Sequence, residues 1–367
     1  MSQPRLIQLD LLRACCVFLV LGRHLTPTPQ ETSLIANKIT QFWNFGGWVG
    51  VDIFFVLSGF LISGLLFREY QKNENLRIKR FLIRRGLKIY PSFYILIGAT
   101  VLINPLFGKT VPTIPLIAEI LFLQNLIFGR LWIHTWTLAV EEHFYIGLAI
   151  LAYFLIRYKK TDENPFSHIP NIFLFLVIIC FVLRLLMATF KGTNIAPTPF
   201  RIDALFFGVM LSYLWHFCGF AEKTFINRYK NWFIFGGIVM LLPMFFFMSV
   251  INPWVFVLGL TTNYIAGGLL LVGFLKTEFK VSLFLRTISS IGTYSYSIYL
   301  WHLPVQEWIA IPLNNLTGIN NWFFYAGVYL IGSILIGIFL SKIIEYPILR
   351  IRDRYFPSPH TAVVNNK

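Results

Sequence analysis

Long apolar runs, separated by short clusters of charged residues, make up most of this chain. A helix that crosses a bilayer needs about 20 mostly apolar residues. Ten runs approach this length and predict transmembrane helices: 7–25, 48–67, 81–103, 136–156, 169–188, 202–217, 232–250, 254–275, 289–311 and 322–344. An eleventh run, 114–128, is short and carries Glu119, Gln124 and Asn125, which favours a re-entrant or surface segment over a crossing.

The distribution of basic residues predicts the orientation of these helices. With ten crossings and a cytoplasmic N-terminus, 23 Lys and Arg residues fall on the cytoplasmic side and five on the outer side. Cytoplasmic loops of membrane proteins carry such an excess. Both termini are therefore predicted to be cytoplasmic. We expect residues 1–356 to form a single membrane domain and residues 357–367 to form a disordered cytoplasmic tail.

The composition agrees with a membrane protein and excludes other classes. Hydrophobic residues account for 56% of the 367 residues and charged residues for 13%, whereas soluble domains carry about 25% charged residues. The net charge is +15, but the basic residues lie mainly between apolar runs, where they orient helices, so no nucleic-acid partner is expected. We predict an all-α polytopic protein, surrounded by membrane lipid, whose helices enclose a polar cavity.

The first predicted span carries ionisable residues on one face. Arg13 and His24 are 11 residues apart, close to three full helical turns, so they face the same way about 16 Å apart along the axis. Asp10, three residues before Arg13, lies on the same face. Ionisable residues at membrane depth usually line a cavity or a pathway. The pattern also fits an Asp10–Arg13 ion pair together with an interfacial histidine.

A dense basic cluster precedes and enters the third predicted span. Eight Lys and Arg residues lie between 68 and 88, and three of them, Arg84, Arg85 and Lys88, fall within the start of the helix. The cluster as a whole is explained by the need to keep this loop on the cytoplasmic side of the membrane. Residues within the helix also suit phosphate binding, because guanidinium groups bind phosphate oxygens bidentately.

Carboxylates occur in two further spans. Glu141 and Glu142 lie near the outer end of the fourth span, and adjacent helical residues point about 100° apart, so at most one is expected to share a cavity with His24. Asp52, in the second span, fits two roles: it orients a catalytic histidine, or it pairs with an arginine such as Arg23. The sequence contains no HExxH zinc pattern, and no metal site is predicted.

Seven tryptophans are predicted to lie near the outer face: Trp43, Trp48, Trp132, Trp136, Trp254, Trp308 and Trp322. Such a distribution is typical of the aromatic belt at a membrane interface. It also fits a platform on which sugar rings stack in an outer cleft.

Six stretches resemble, in order along the chain, the motifs of the acyltransferase-3 family of integral membrane O-acyltransferases. They are LDLLRACCVFLVLGRH, GWVGVDIFFVLSGFLIS, RFLIRRGLKIYPSFY, FLQNL followed by WTLAVEEHFY, RIDALFFG, and SYSIYLWHLP. The resemblance implies a ten-helix enzyme that moves an acyl group, often acetyl, from coenzyme A to a hydroxyl. The acceptor it implies is a carbohydrate or glycolipid of a bacterial cell envelope, and the location is the inner membrane.

The resemblance also assigns roles to individual residues. Arg13 and His24 match the family's arginine–histidine pattern in the first helix. Arg85 and Lys88 match its RxxR element, with lysine in place of the second arginine, which retains the charge and loses the bidentate fork. The co-substrate implied is acyl-CoA, in the simplest case acetyl-CoA, and no permanently bound cofactor is expected.

From these residues we expect His24 to act as general base on the acceptor hydroxyl, since an imidazole suits this transfer near neutral pH. Glu141, Glu142 or Asp52 is expected to hold its tautomer and stabilise its charged form. The candidates for binding the donor are Arg13, Arg84, Arg85 and Lys88.

Two alternatives stay open at this stage. A covalent acyl-enzyme needs a nucleophile, and the candidates are Ser58, Ser63, Cys15, Cys16 and His24. A transporter of protons or lipid-linked sugars would use the buried carboxylates, namely Asp52, Glu141, Glu142 and Asp203. Inverted repeats, which favour transport, are not found in the sequence.

Overall fold

The computed structural model describes residues 6–127, 129–159, 163–190, 192–247, 252–280, 282–317 and 321–357. Within these ranges the chain is helical and contains no β-strand. The all-α fold expected from the apolar runs is therefore confirmed. The tail expected at 357–367 lies outside the described residues except for Pro357.

Fifteen α-helices are described. In chain order they are α1 (Ile7–His24), α2 (Leu34–Gly46), α3 (Val49–Asn73), α4 (Ile78–Ile103), α5 (Thr113–Ile120), α6 (Trp136–Arg157), α7 (Ile169–Phe190), α8 (Ile202–Phe217), α9 (Thr224–Leu241), α10 (Leu260–Leu275), α11 (Leu283–Thr293), α12 (Ser295–Val305), α13 (Ile311–Leu316), α14 (Trp322–Leu340) and α15 (Tyr346–Tyr355). Three π-helical segments join some of them: Val255–Gly259, Gln306–Ala310 and Ser341–Glu345.

Six helical segments of the described ranges are long and apolar enough to cross a membrane. They are Leu34–Asn73, Ile78–Phe107, Trp136–Arg157, Ile169–Phe190, Val255–Leu275 and Trp322–Tyr355. The apolar helix α8 is shorter, at 16 residues. These segments support a multi-pass membrane protein.

The helix pattern departs from the ten predicted runs at the ninth run and at helices α2 and α15, which lie outside the runs. The ninth run, 289–311, is divided among α11, α12, a π-helical segment and α13. It contains Pro304, and proline and π-helical turns both interrupt the regular ladder of hydrogen bonds. Helix α2 lies outside the ten runs, and its N-cap Ser33 accepts a hydrogen bond from the Ala36 N–H at 3.3 Å.

The eleventh run contains only a short helix. Helix α5 has eight residues and is followed by turns, which is far less than the length a crossing requires. The structure therefore agrees with the expectation of a surface or re-entrant segment.

Helix α3 lies at the centre of the packing, against α1, α8 and α10. Its closest approach is to α8, where a Cβ atom added at Gly59 would lie 1.9 Å from the Leu205 carbonyl oxygen. A Cβ at Gly208 would lie 2.2 Å from the Val56 carbonyl oxygen. Small residues allow this close contact between membrane helices. The contact fixes the position of α3, which carries Asp52 and Ser58.

Candidate active site

A cavity of about 410 Å³ lies between α1, α3, α4, α6 and the α11–α12 region. Four of the side chains that line it are cations: Arg13, Arg68, Arg85 and Lys88. We call this space the cationic cavity. Arg13, Arg85 and Lys88 are among the four residues that the sequence predicted to bind the donor. The structure therefore brings Arg13 to the same cavity as Arg85 and Lys88.

Three of the four cations have partners at hand. Lys88 forms an ion pair with Glu345, and Arg13 pairs with Asp10 at 2.8 Å. Arg68 donates to Nε2 of His216 at 3.1 Å. Arg85 differs, because among the residues the structure describes no hydrogen bond or ion pair joins its guanidinium to another side chain, and its buried Nε, like that of Arg68, has no partner. Arg85 therefore has a donor available for a ligand in this cavity.

Arg84 is directed elsewhere. It donates a hydrogen bond to the Phe356 carbonyl and lies 3.1 Å from the Asp353 carboxylate near the end of α15. It is not among the residues that line the cationic cavity. Of the adjacent pair that the sequence grouped together, only Arg85 faces the cavity, because neighbouring helical residues point about 100° apart.

The same geometry separates the two adjacent glutamates of α6. Glu141 lines the cationic cavity and accepts a hydrogen bond from the Tyr145 hydroxyl at 2.8 Å. Ser58 shares a 2.8 Å hydrogen bond with that hydroxyl. Glu142 accepts instead from Tyr90 on α4. Ser58 is thus the candidate nucleophile that faces the cationic cavity, and its hydroxyl is tied to a tyrosine.

Asp52 forms a buried ion pair with Arg201 and accepts a second hydrogen bond from Asn263 at 2.9 Å. The sequence left two roles open for this carboxylate, and the observed contact is the arginine pair. The partner is Arg201 rather than Arg23, which donates to Asn44 at 3.2 Å. The choice of arginine depends on the packing of α3 against α8.

A second cavity, of about 210 Å³, adjoins the first. His24 and His134 line it together with Trp48, Trp136 and Arg130, and we call it the histidine cavity. Val51 and Tyr299 line both cavities and form the wall between them. Arg13 and His24, on one face of α1, therefore open into two adjoining cavities.

Three imidazole rings cluster at the histidine cavity. The ring centres of His24 and His302 are 5.0 Å apart, and those of His302 and His134 are 4.8 Å apart. Burial lowers the pKa of His134, in the loop before α6, to about 4, so this ring is neutral at physiological pH. The sequence reasoning missed His134, whose only signal is its place two residues before the WTLAVEEHFY motif.

The carboxylates expected to orient His24 are not bound to it. In the described part of the chain, no hydrogen bond or ion pair joins His24 to Glu141, Glu142 or Asp52. The described residues also contain no group of three or more His, Cys, Asp or Glu residues arranged to hold a metal ion.

Comparison with known proteins places the chain in a family. A family model described as an acyltransferase domain, that of acyltransferase-3, matches residues 6–342. The chain belongs to the acyltransferase-3 family. This membership confirms the resemblance drawn from the six motifs and classifies the chain as a membrane acyltransferase.

Two curated relatives of this acyltransferase-3 chain carry more specific names. The peptidoglycan O-acetyltransferase OatA of Listeria monocytogenes is 28% identical over 79% of this chain and 50% of its own length. The O-acetyltransferase OatA of Staphylococcus aureus is 29% identical over 74% of this chain and 48% of its own length. The chain thus spans about half the length of these curated relatives. No solved structure matches it significantly.

Proposed function

We propose that this protein is an O-acyltransferase, and most simply an O-acetyltransferase, that moves an acyl group from acyl-CoA to a hydroxyl of a cell-envelope carbohydrate. The observation that carries the proposal is the wall shared by the cationic cavity and the histidine cavity. One side offers charge for a phosphorylated donor, and the other offers imidazoles for proton transfer. The name of the Listeria monocytogenes relative, a peptidoglycan O-acetyltransferase, supports a carbohydrate acceptor.

The proposal includes the orientation expected from the basic residues. Ten crossings with both termini in the cytoplasm direct the cationic cavity toward the cytoplasm of a bacterium and the histidine cavity toward the outer face of its inner membrane. Acyl-CoA then enters from the side on which it is made. The carbohydrate approaches from the side on which the envelope lies.

In this proposal the donor binds in the cationic cavity. Arg85, whose buried Nε is available, and Lys88 face the phosphates of coenzyme A, together with Arg13 and Arg68. Arginine side chains bind phosphate oxygens through two parallel hydrogen bonds. The thioester extends toward the wall formed by Val51 and Tyr299.

The acceptor binds in the histidine cavity, where Trp48 and Trp136 offer aromatic faces to a sugar ring. His24 takes the proton of the acceptor hydroxyl as its oxygen attacks the thioester carbonyl. The carbon–sulfur bond breaks, and the coenzyme A thiolate leaves with the proton that His24 returns. The products are an ester on the carbohydrate and free coenzyme A.

Purified protein in lipid nanodiscs, supplied with acetyl-labelled acetyl-CoA and a peptidoglycan fragment or another envelope saccharide, tests this proposal. We expect label to enter the saccharide. His24→Ala should reduce transfer by about 10²–10⁴-fold, which is the usual contribution of a general base. His168→Ala, at an exposed loop position, is the matched control and should transfer at the wild-type rate.

Equal amounts of folded protein are confirmed for each variant by size-exclusion chromatography. Full activity of His24→Ala would reject the base assignment. If the wild-type protein acylates no saccharide but, after reconstitution in sealed lipid vesicles, moves lipid-linked sugar across the vesicle membrane, the transporter alternative holds instead.

A further inference from the structure

The geometry of the histidine cluster leaves two buried ring nitrogens without a hydrogen-bond donor. Nδ1 of His302 lies 2.6 Å from the Tyr299 carbonyl oxygen, so this nitrogen carries the proton and donates it. Nε2 of His134 lies 3.0 Å from the Leu300 carbonyl oxygen and donates in the same way. In the neutral rings, the opposite nitrogens, Nε2 of His302 and Nδ1 of His134, are therefore acceptors.

Both acceptors are buried, and neither has a partner among the described residues. His302 and His134 have each used their one N–H, so neither ring is able to donate to the other. His24 is the member of the cluster that retains a ring N–H to donate. An unpaired buried acceptor is unfavourable, which favours a bond from His24.

The two acceptors differ in their surroundings. His134 lines the histidine cavity, where water or a substrate hydroxyl reaches it. His302 is fully buried and is absent from the lining of both cavities. Its ring centre is 5.0 Å from that of His24, close to the separation of about 5 Å expected for two imidazoles joined by an N–H···N hydrogen bond.

We propose that His302 is the positioning residue for His24: its Nε2 accepts the ring N–H of His24, fixes one tautomer, and leaves the opposite nitrogen facing the histidine cavity as proton acceptor. The role is the one that the sequence reasoning assigned to a carboxylate. The inference rests on the proposed function only for its effect on catalysis. The tautomer of His24 is a property of the protein alone.

Two variants of His302 separate the positioning role from a structural one. His302→Gln places an amide oxygen near the position of Nε2 and retains the acceptor. His302→Asn places an amide N–H near the position of Nδ1, which retains the donor to the Tyr299 carbonyl and removes the acceptor. Positioning predicts that Gln preserves function and Asn impairs it, whereas a purely structural role predicts the reverse.

The direct measurement is ¹⁵N NMR of protein labelled at histidine, because protonated and unprotonated ring nitrogens resonate at different frequencies. The signals of His24 are identified by their loss in His24→Ala. We expect a single neutral tautomer of His24 in the wild type and in His302→Gln, and a mixture of both tautomers in His302→Asn. A mixture in the wild type, or one tautomer in His302→Asn, overturns the proposal.

The transfer assay supplies a second measurement. We expect kcat of His302→Asn to fall at least tenfold with an unchanged KM for acetyl-CoA, and kcat of His302→Gln to stay within threefold of the wild type. Equal rates for the two variants contradict the positioning role. If the tautomer changes as expected but the wild type transfers no acyl group, the positioning stands and the proposed function fails.

Discussion

Lys88, in the first half of α4, forms an ion pair with Glu345, which lies 257 residues later in the chain. The Ser297 hydroxyl donates to the same carboxylate at 2.5 Å. The pair therefore links α4 and α12 to the segment that follows α14. It lies at the wall of the cationic cavity, where Lys88 is one of the four lining cations.

Removal of Lys88 is expected to destabilise the protein. Lys88→Met leaves the carboxylate of Glu345, which is 4% exposed, without its counter-ion, and we expect a loss of about 1–3 kcal/mol, below the value for a fully buried pair. Replacing both partners with methionine should restore much of this stability, since no unpaired charge is then buried. Thermal unfolding in detergent measures the effect.

The matched control for this pair is Lys109 with Glu307, an ion pair that is substantially exposed on both sides. Lys109→Met should change stability by less than about 1 kcal/mol, as is usual for surface pairs. Equal losses for the two lysine variants would show that burial of Glu345 does not determine the effect.

The adjacent arginines of α4 should differ in their effects on donor binding. Arg85 lines the cationic cavity, whereas Arg84 is bound to Asp353 and the Phe356 carbonyl. We expect Arg85→Gln to raise KM for acetyl-CoA by about tenfold, or about 1.4 kcal/mol, because a charged donor to phosphate is lost. Arg84→Gln is the matched control and should leave KM within twofold of the wild type. A larger effect at Arg84 would contradict the proposed donor site.

The contact between α3 and α8 should tolerate no side chain at Gly59. A Cβ there would lie 1.9 Å from the Leu205 carbonyl oxygen, so the two helices would have to separate. We expect Gly59→Ala to lower the melting temperature sharply and to reduce the yield of monodisperse protein. Gly147→Ala on α6 is the control, because its Cβ would meet no atom within 4 Å. That substitution should be neutral or slightly stabilising, since alanine favours helix more than glycine does.

Glu119, on α5, should make stability depend on pH. Burial raises its pKa from 4.5 to about 7, although the Thr135 hydroxyl donates to its carboxyl at 2.7 Å. Between these two pKa values the folded protein holds one proton more than the unfolded chain. Rising pH therefore removes stability across this window, on the order of 3 kcal/mol in total, and the loss ends above the folded pKa.

Melting temperatures measured between about pH 5 and pH 8 test this dependence. Glu119→Gln should flatten the slope, because the amide does not ionise. Glu222→Gln, at an exposed position, is the control and should retain the wild-type slope. An unchanged slope in Glu119→Gln would assign the dependence to other groups.

Part of the candidate site followed from local helix geometry. The angle of about 100° between neighbouring residues predicted that Glu141 and Glu142 would diverge, and the structure shows it in their different tyrosine partners. The same rule separates Arg84 from Arg85, but the sequence did not indicate which of the two faces the cavity. That choice depends on α15, whose Asp353 binds Arg84.

Other parts were beyond the reach of local rules. The pairing of Asp52 with Arg201 joins residues 149 positions apart, and the approach of His302 to His24 joins two helices, α1 and α12, that are far apart in the chain. His134 carried almost no sequence signal, because a single histidine in a loop has no periodicity to interpret.

The sequence by itself determined the class of the protein. Long apolar runs have to be helical in a bilayer, since every backbone polar group must be satisfied internally, and six ordered motifs identified the family. Only the tertiary structure decided which faces meet: that Arg13 and His24 open into adjoining cavities, and that an imidazole rather than a carboxylate lies beside His24. The physical reason is that periodicity determines the direction of a side chain about its own helix. The group it meets depends on how helices distant in sequence pack together.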